Sequence, residues 1–395
     1  MAGARPRRAS VIEVFLVALR LGLTSFGGPV AHLGYFRHEY VERRRWLTDL
    51  EYADTVALCQ ALPGPASSQV GIVVGTAQAG YLGGLAAWAG FTLPSAFALA
   101  VFALLLGNTD ISTSGWLHGL LIAAVAVVAQ AVWGMSRTLT PDAERLSMAL
   151  VAAVALLLIP GAWMQVLVLA SAGAYGIMRW RGVDTTSLSA VPVEARYRRL
   201  APLWLVSFVV LLAGLGAARA LAGGASLAAM AEVSARTGSL VFGGGHVVLP
   251  LLEEGFVPRW LTEQEFLAGY GAAQAVPGPL FTFSAYLGAK GAGVGGAALA
   301  LTTIFAPSFL LVWGVGPYWD QLRSRSIVRA GLRGVNAGVV GLLAAAFYSP
   351  VLTSAVRGVE DVALALVCGV LLIVWRRPPW MVVLVAAAGG TLLSL

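Results

Sequence analysis

Apolar stretches long enough to cross a bilayer follow one another along most of this chain, separated by short charged or Gly/Pro-bearing runs. A spanning helix needs about 20 predominantly apolar residues, and glycine and proline are tolerated inside it where neighbouring helices satisfy the freed backbone groups. By that measure the first part of the chain holds apolar segments at Val11 to Ala31, Leu50 to Gly80, Gly83 to Gly107, Trp116 to Met135, Leu146 to Ile159 and Ala162 to Met178. An arginine-bearing linker from Arg179 to Leu200 and one further segment, Ala201 to Leu221, come next. The order then repeats with Leu227 to Pro250, Phe266 to Ala289, Val294 to Pro317, Val328 to Tyr348, Val362 to Trp375 and Pro379 to Leu395. The pattern predicts an all-α polytopic membrane protein of about thirteen apolar segments, arranged six, one and six.

The second set copies the first in its motifs as well as its order. Arg20 precedes Phe26, Gly27 and Gly28 by the same interval that separates Arg236 from Phe242, Gly243 and Gly244. Trp46, Leu47 and Thr48 return as Trp260, Leu261 and Thr262, and Gln60-Ala-Leu-Pro63-Gly64-Pro65 returns as Gln274-Ala-Val-Pro277-Gly278-Pro279. Gly83-Gly84 and Pro94-Ser95 recur as Gly295-Gly296 and Pro307-Ser308, and the spacing between copies stays between 212 and 216 residues. A fixed period of this kind marks a duplicated unit. The predicted domains are residues 1–180, a linker with a connecting helix over 181–225, and residues 226–395.

Composition names the solvent. Hydrophobic residues make up 58% of the 395 and charged residues 11%, against roughly 25% charged in an ordinary soluble domain. The net charge of +7 comes from loop arginines and reports membrane topology, not nucleic-acid binding. The loop after the first glycine break carries Arg37, Arg43, Arg44 and Arg45, whereas its counterpart holds Arg259 among Glu253, Glu254, Glu263 and Glu265. The loop from Asn108 to Gly115 has no basic residue, and its counterpart has Arg323, Arg325 and Arg329. With arginine-rich loops inside, the copies face opposite ways, and the odd segment at Ala201 inverts the second. Inverted repeats of this kind recur in secondary transporters that work by alternating access. Met1 to Ser10 has no small-residue cleavage site behind a short apolar core, which favours a retained cytoplasmic N-terminus over a signal peptide.

The interrupted segments hold the candidate chemistry. Proline lacks an amide hydrogen and disfavours helix at the residue before it, so a helix from Leu50 should stop near Leu62 and restart beyond Pro65. The restart presents Ser67 and Ser68 with free amides at the positive end of a helix dipole, the makings of an anion site; the second copy offers Thr282. The alternative is a kink with no ligand. Arg20 and Arg236 sit inside apolar runs, where a central arginine costs about 3 kcal/mol on insertion scales. They suit a doubly charged oxyanion, or ion pairs, with Glu13 and Glu232 as the nearby carboxylates. Lys290, the single lysine, stands where the first copy has Thr76, either at the site or as an end residue reaching for the interface. His32, Asp54 and His246 are candidates for proton coupling, with Glu51 and Glu265 behind them.

Cys59 and Cys368 lie far apart in apolar context, so neither a disulfide framework nor a metal site is expected. There is no nucleotide-binding glycine loop with its lysine, no metal-spaced His/Glu motif and no Gly-x-Ser-x-Gly elbow, so neither enzyme activity nor a cofactor is predicted.

The doubled Phe-Gly-Gly with Trp-Leu following, and the doubled Gln-x-x-Pro-Gly-Pro, resemble the chromate ion transporter family in its long two-domain bacterial form. The resemblance covers nearly the whole chain. It implies a multi-pass inner-membrane carrier that expels chromate and confers chromate resistance, with sulfate as the similar anion. One departure is Pro29 after the first Phe-Gly-Gly where the second has Gly245. The partners expected are chromate or sulfate as the transported anion and the lipid bilayer, with a homodimer left open. The other readings are a carrier or channel for another oxyanion and a membrane scaffold without transport.

Overall fold

The structure, a computed structural model, describes residues 8–26, 28–107, 115–159, 161–181, 195–242, 245–323 and 325–393. Among them every regular element is helical. The first copy gives α1 (Val11–Thr24), α2 (Gly28–Arg37), α3 (Asp49–Ala61), α4 (Ala66–Leu106), α5 (Gly115–Leu139), α6 (Ala143–Leu158) and α7 (Ala162–Trp180). After α8 (Ala201–Ala222) come α9 (Leu227–Leu240), α10 (Val248–Phe256), α11 (Glu263–Ala275), α12 (Phe283–Val315) and α13 (Trp319–Arg323). The chain closes with α14 (Ser326–Ala346), α15 (Thr353–Ala355), α16 (Val359–Gly369) and α17 (Pro379–Leu393). Among the described residues, five stretches, Ala66–Leu106, Gly115–Leu139, Ala201–Ala222, Leu280–Tyr318 and Ser326–Ala355, are long and apolar enough to cross a membrane by length and composition. The protein is a multi-pass membrane protein.

Several expected segments are cut shorter, each for a local reason. The run from Val11 to Ala31 does not form one helix, because α1 stops at Thr24 and Ser25 turns to extended backbone. The doubled Trp-Leu-Thr proves to be a helix start. Thr48 and Thr262 each accept a bond from the amide three residues on, and their own backbone N–H groups donate to Glu51 and Glu265 at 2.8 and 2.9 Å, so α3 and α11 both open on a capping box.

The long helices α4 and α12 are helical hairpins. Ala79 and Gly80 leave helical geometry, with Gly80 at φ +72°, and Ala292 and Gly293 do the same, with Gly293 at φ +63°. The chain then folds back so closely that a Cβ on Gly75 would collide with the Gly83 carbonyl, and one on Gly288 with that of Gly296. This is why the paired glycines recur. The two hairpins pack against each other at the centre through Trp88 with Phe305 and Phe309, ring centroids 5.7 Å apart in both cases, and Trp313 Nε1 donates to Thr76 Oγ1 at 3.1 Å.

The outer helices interlock across the copies. α5 packs on α16 and α17, whereas α14 packs on α6 and α7. Glycines set the approach: Gly119 meets the Ala386 backbone and Gly334 the Ala172 backbone, with Gly390 and Gly176 reciprocating. Such small-residue faces are how helices associate closely in lipid. α8 lies at the rim with only 6% of its apolar window buried, and Leu203, Val206, Val209 and Val210 face outward.

Gly119→Val and Gly334→Val should each lower the melting temperature and the yield of monodisperse protein, since overpacking costs roughly 1–3 kcal/mol. Gly214→Val on α8, where nothing lies within 4 Å of the added carbon, should change neither. Equal stability of all three variants in a thermal-shift assay would remove the interlock as the stabilising contact.

Candidate functional site

Each Pro-Gly-Pro triplet holds a single backbone donor, because its prolines have no N–H. Gly64 gives that donor to the Val241 carbonyl at 2.7 Å, and Gly278 gives its own to the Ser25 carbonyl at 2.9 Å. Val241 and Ser25 are the extended residues that end α9 and α1. Each loop of one copy is therefore tied to the broken helix of the other. Gly64 has φ +123° and Gly278 φ +100°, a region that side-chain-bearing residues rarely enter. The space is also closed: a Cβ on Gly64 would lie 2.6 Å from Ser308 Oγ, and one on Gly278 would lie 2.8 Å from Ser95 Oγ.

Polar groups gather around these loops without full satisfaction. α4 begins after Pro65 with no side-chain cap, so the amides at Ala66, Ser67 and Ser68 form a bare positive helix end. Ser67 Oγ lies 3.4 Å from His32 Nδ1. Gln69 Nε2 spans the loop, reaching Pro63 O at 2.7 Å and Ser308 Oγ at 3.4 Å. Ser25 Oγ, His32 Nε2, Ser68 Oγ and Gln69 Oε1 are buried and have no protein hydrogen-bond partner among the described residues. A buried polar atom left unbonded costs about 1–3 kcal/mol, so four of them in one region make a place that a hydrogen-bonding solute would stabilise.

The second loop is built differently. The Thr282 hydroxyl turns back to Pro279 O at 2.7 Å, and residues Leu280–Thr282 form a 3-10 turn before α12. Gln274 Nε2 on α11, and Ser234 Oγ and Thr237 Oγ1 on α9, are also buried without a protein partner among the described residues, while Gln60, the counterpart of Gln274, is exposed. His246 Nδ1 bonds the Tyr270 hydroxyl at 2.6 Å, and its Nε2 is the nearest side-chain atom to the Cβ position of Gly28. Phe26 leans on Trp380 with ring centroids 6.2 Å apart, Phe242 packs on the core, and Asp54 is buried on α3. Gly27, Gly243 and Gly244 lie outside the described residues.

The cationic candidates stand elsewhere. Arg20 pairs with Glu39 at 3.7 Å and has a side chain 59% exposed, and Glu39 also takes Arg43 and Arg44 at 2.9 and 3.1 Å. Arg236 pairs with Glu232 at 2.8 Å. Glu13, weighed as a partner for Arg20, bonds Arg44 at 2.6 Å instead. Lys290 bonds Glu265 at 2.7 Å and the Gly107 carbonyl, joining α11 to the end of α4. The ion pairs and hydrogen bonds found for these three cations do not include a Pro-Gly-Pro residue. Ser95, Ser308, Ser25 and Gln69 are the residues that sequence reading passed over. The recurrence of Pro-Ser was the signal for the first two; Gln69 has no counterpart, since Phe283 stands in its place.

Comparison with known proteins agrees with this two-part build. The family model described as Chromate transporter matches residues 12–177 and again 228–391. A chromate transport protein of Cupriavidus metallidurans is 26% identical over 90% of this chain and 85% of its own length. One from Pseudomonas aeruginosa is 27% identical over 87% and 81%. A probable chromate transport protein of Synechococcus elongatus is 27% identical over 83% and 81%. No solved structure matches the chain. With the family model matched in both copies, and with the doubled breaks clasping each other at the centre of the fold, the chain belongs to the chromate transporter family.

Proposed function

We propose that this protein is a secondary transporter that exports chromate, a tetrahedral oxyanion, from the bacterial cytoplasm by alternating access, and so confers chromate resistance. The observation that carries the reading is the pair of reciprocal bonds, Gly64 to Val241 and Gly278 to Ser25, beside the uncapped, hydroxyl-bearing start of α4. A helix N-terminus with buried, unspent donors binds anions without needing a metal. The substrate site comprises Phe26, Gly27, Gly28, Gln60, Pro63, Gly64, Pro65, Ser67 and Ser68 in the first copy. In the second it comprises Phe242, Gly243, Gly244, Gln274, Pro277, Gly278, Pro279 and Thr282. Arg20, Arg236 and Lys290 set the surrounding potential, and His32, Asp54 and His246 are where a coupled proton would bind.

The domains are residues 1–180 and 226–395, joined through 181–225, and the second is inverted in the inner membrane relative to the first. The reversal of arginine bias between equivalent loops supports the inversion, and the mutual clasp of the two copies supports rocking of one against the other. About thirteen segments cross or enter the bilayer. A dianion leaving a negative-inside cell gains about 4.6 kcal/mol per 100 mV, so export needs no obligatory coupled ion. Amides and hydroxyls read the shape and charge that chromate shares with sulfate.

Everted vesicles containing the protein should accumulate chromate saturably, and excess sulfate should inhibit. Uptake absent from vesicles with verified insertion would end the chromate reading, and uptake unmoved by sulfate would rule out a shared tetrahedral site. Flux should rise with membrane potential; equal flux with the potential clamped at zero would point to obligatory proton coupling. Gly64→Ala and Gly278→Ala should each lower uptake at least tenfold while the protein still inserts, as strained backbone costs about 1–3 kcal/mol. Wild-type rates in both would disconnect the clasp from transport. Arg20→Ala and Arg236→Ala should reduce flux through the lost potential, and unchanged flux in both would leave them purely structural.

A further inference from the structure

A second polar centre lies apart from the paired breaks. Glu232, on the second turn of α9, takes Arg219 from the end of α8 on one oxygen and Arg236 Nε on the other, the latter at 2.8 Å. The Glu232 side chain is 13% exposed and that of Arg236 is 23% exposed. One carboxylate between two guanidinium groups fixes both planes while engaging a single nitrogen of each in these bonds. Arg219 and Arg236 line a cavity of about 280 Å³ together with Arg259, Glu254 and Trp163. The Arg259 guanidinium is held over the Trp260 ring, 5.4 Å from its centroid. The lining holds three arginines and one carboxylate, Glu254, and counting Glu232, which pairs with two of the arginines, still leaves it net positive. At ~30 Å³ per water, the volume equals about nine waters, room for a tetrahedral oxyanion with part of its hydration shell.

The cavity also has a direction. α7 runs from the Trp163 end to Arg179, and α8 starts at Ala201 beside Arg198 and Arg199. Trp163 and Arg219 therefore lie at the ends of these helices remote from the arginine-rich linker, the extracytoplasmic side by the positive-inside rule. Arg236 stands six residues before Phe242, about 9 Å along α9 at 1.5 Å per residue. Of the residues lining the cavity, Arg236 lies closest along the chain to the second glycine break.

The geometry points to a second oxyanion site in this cavity, where Arg219, Arg236 and Arg259 receive a tetrahedral dianion on its way between the second break and the extracytoplasmic surface. It rests on the reading of the protein as an oxyanion carrier. Planar guanidinium groups suit such a ligand because each offers paired N–H donors at carboxylate- and phosphate-like spacing. The fixed Glu232 bridge keeps two of them oriented before the anion arrives. Its carboxylate also offsets part of their charge, so the anion can leave.

Equilibrium binding of radiolabelled chromate to the purified full-length protein tests this, with sulfate as a second probe. The wild type should show two classes of site. Arg259→Glu should abolish one class and leave the other unchanged; Arg259 is exposed, so its reversal is compatible with folding. The double variant Arg219→Gln/Arg259→Gln should weaken the same class at least tenfold, and gel filtration would confirm that both variants remain folded. Two unaltered classes in both variants would overturn the cavity as an oxyanion site while the carrier reading stands. No chromate or sulfate binding by the wild type at either class, together with no vesicle uptake, would overturn the carrier reading and this proposal with it.

Discussion

A peptide N–H held inside a membrane protein must find its acceptor within the protein, because hydrocarbon offers none. In each Pro-Gly-Pro triplet one such group exists, and in each case its acceptor belongs to the other copy. That requirement organises the centre of the molecule. The acceptor carbonyls of Ser25 and Val241 are free to receive because α1 and α9 end there. The glycines must adopt positive φ to aim their N–H across, and the place a side chain would fill is closed at Gly64 by the Gln69 amide and Ser308 Oγ and at Gly278 by Ser95 Oγ and the Phe91 carbonyl. Broken helix, strained glycine and doubled serine are parts of one contact made twice.

The two versions of this contact are not chemically equal. Around the first loop the helix end is bare, and the hydroxyl of Ser68 and the amide oxygen of Gln69 remain unspent. Around the second, Thr282 spends its hydroxyl on Pro279 and a 3-10 turn intervenes before α12. Backbone symmetry therefore coexists with donor asymmetry. The charged residues show a similar division. Glu39 is surrounded by Arg20, Arg43 and Arg44, whereas Glu232 in the second copy bridges two arginines that open onto a cavity.

What could be read from the residues was what depends on local backbone chemistry. Proline and glycine announce their own dihedral limits, so the stop of α3 at Ala61, the restart at Ala66 and the same interruption near Pro277 were legible. The capping boxes at Thr48 and Thr262 lay within a motif already seen to repeat, though their role needed the geometry. The breaks at Gly80 and Gly293 were legible too, since the apolar segments were already divided at Gly80/Gly83 and Ala289/Val294, but the close backbone approach that makes each a tight hairpin needed the geometry. The partners of Arg20 and Arg236 divided along the same line. Glu232 lies four residues from Arg236 on one helix and could be named in advance, whereas Glu39 reaches Arg20 only after the chain turns at the first break. Gln69 was invisible to repeat logic because it occurs in one copy only.

The interlock of the outer helices has a consequence for biosynthesis. Gly119 on α5 rests against Ala386 on α17, and 267 residues of chain separate them. At the usual ~5–20 residues per second of synthesis, the close-packing face of α5 enters the bilayer roughly 15–50 s before its partner exists. Until then its glycine surface must be covered by lipid or by the insertion machinery, and the first copy cannot reach its final packing alone. The packing of the first copy therefore waits on a helix of the second.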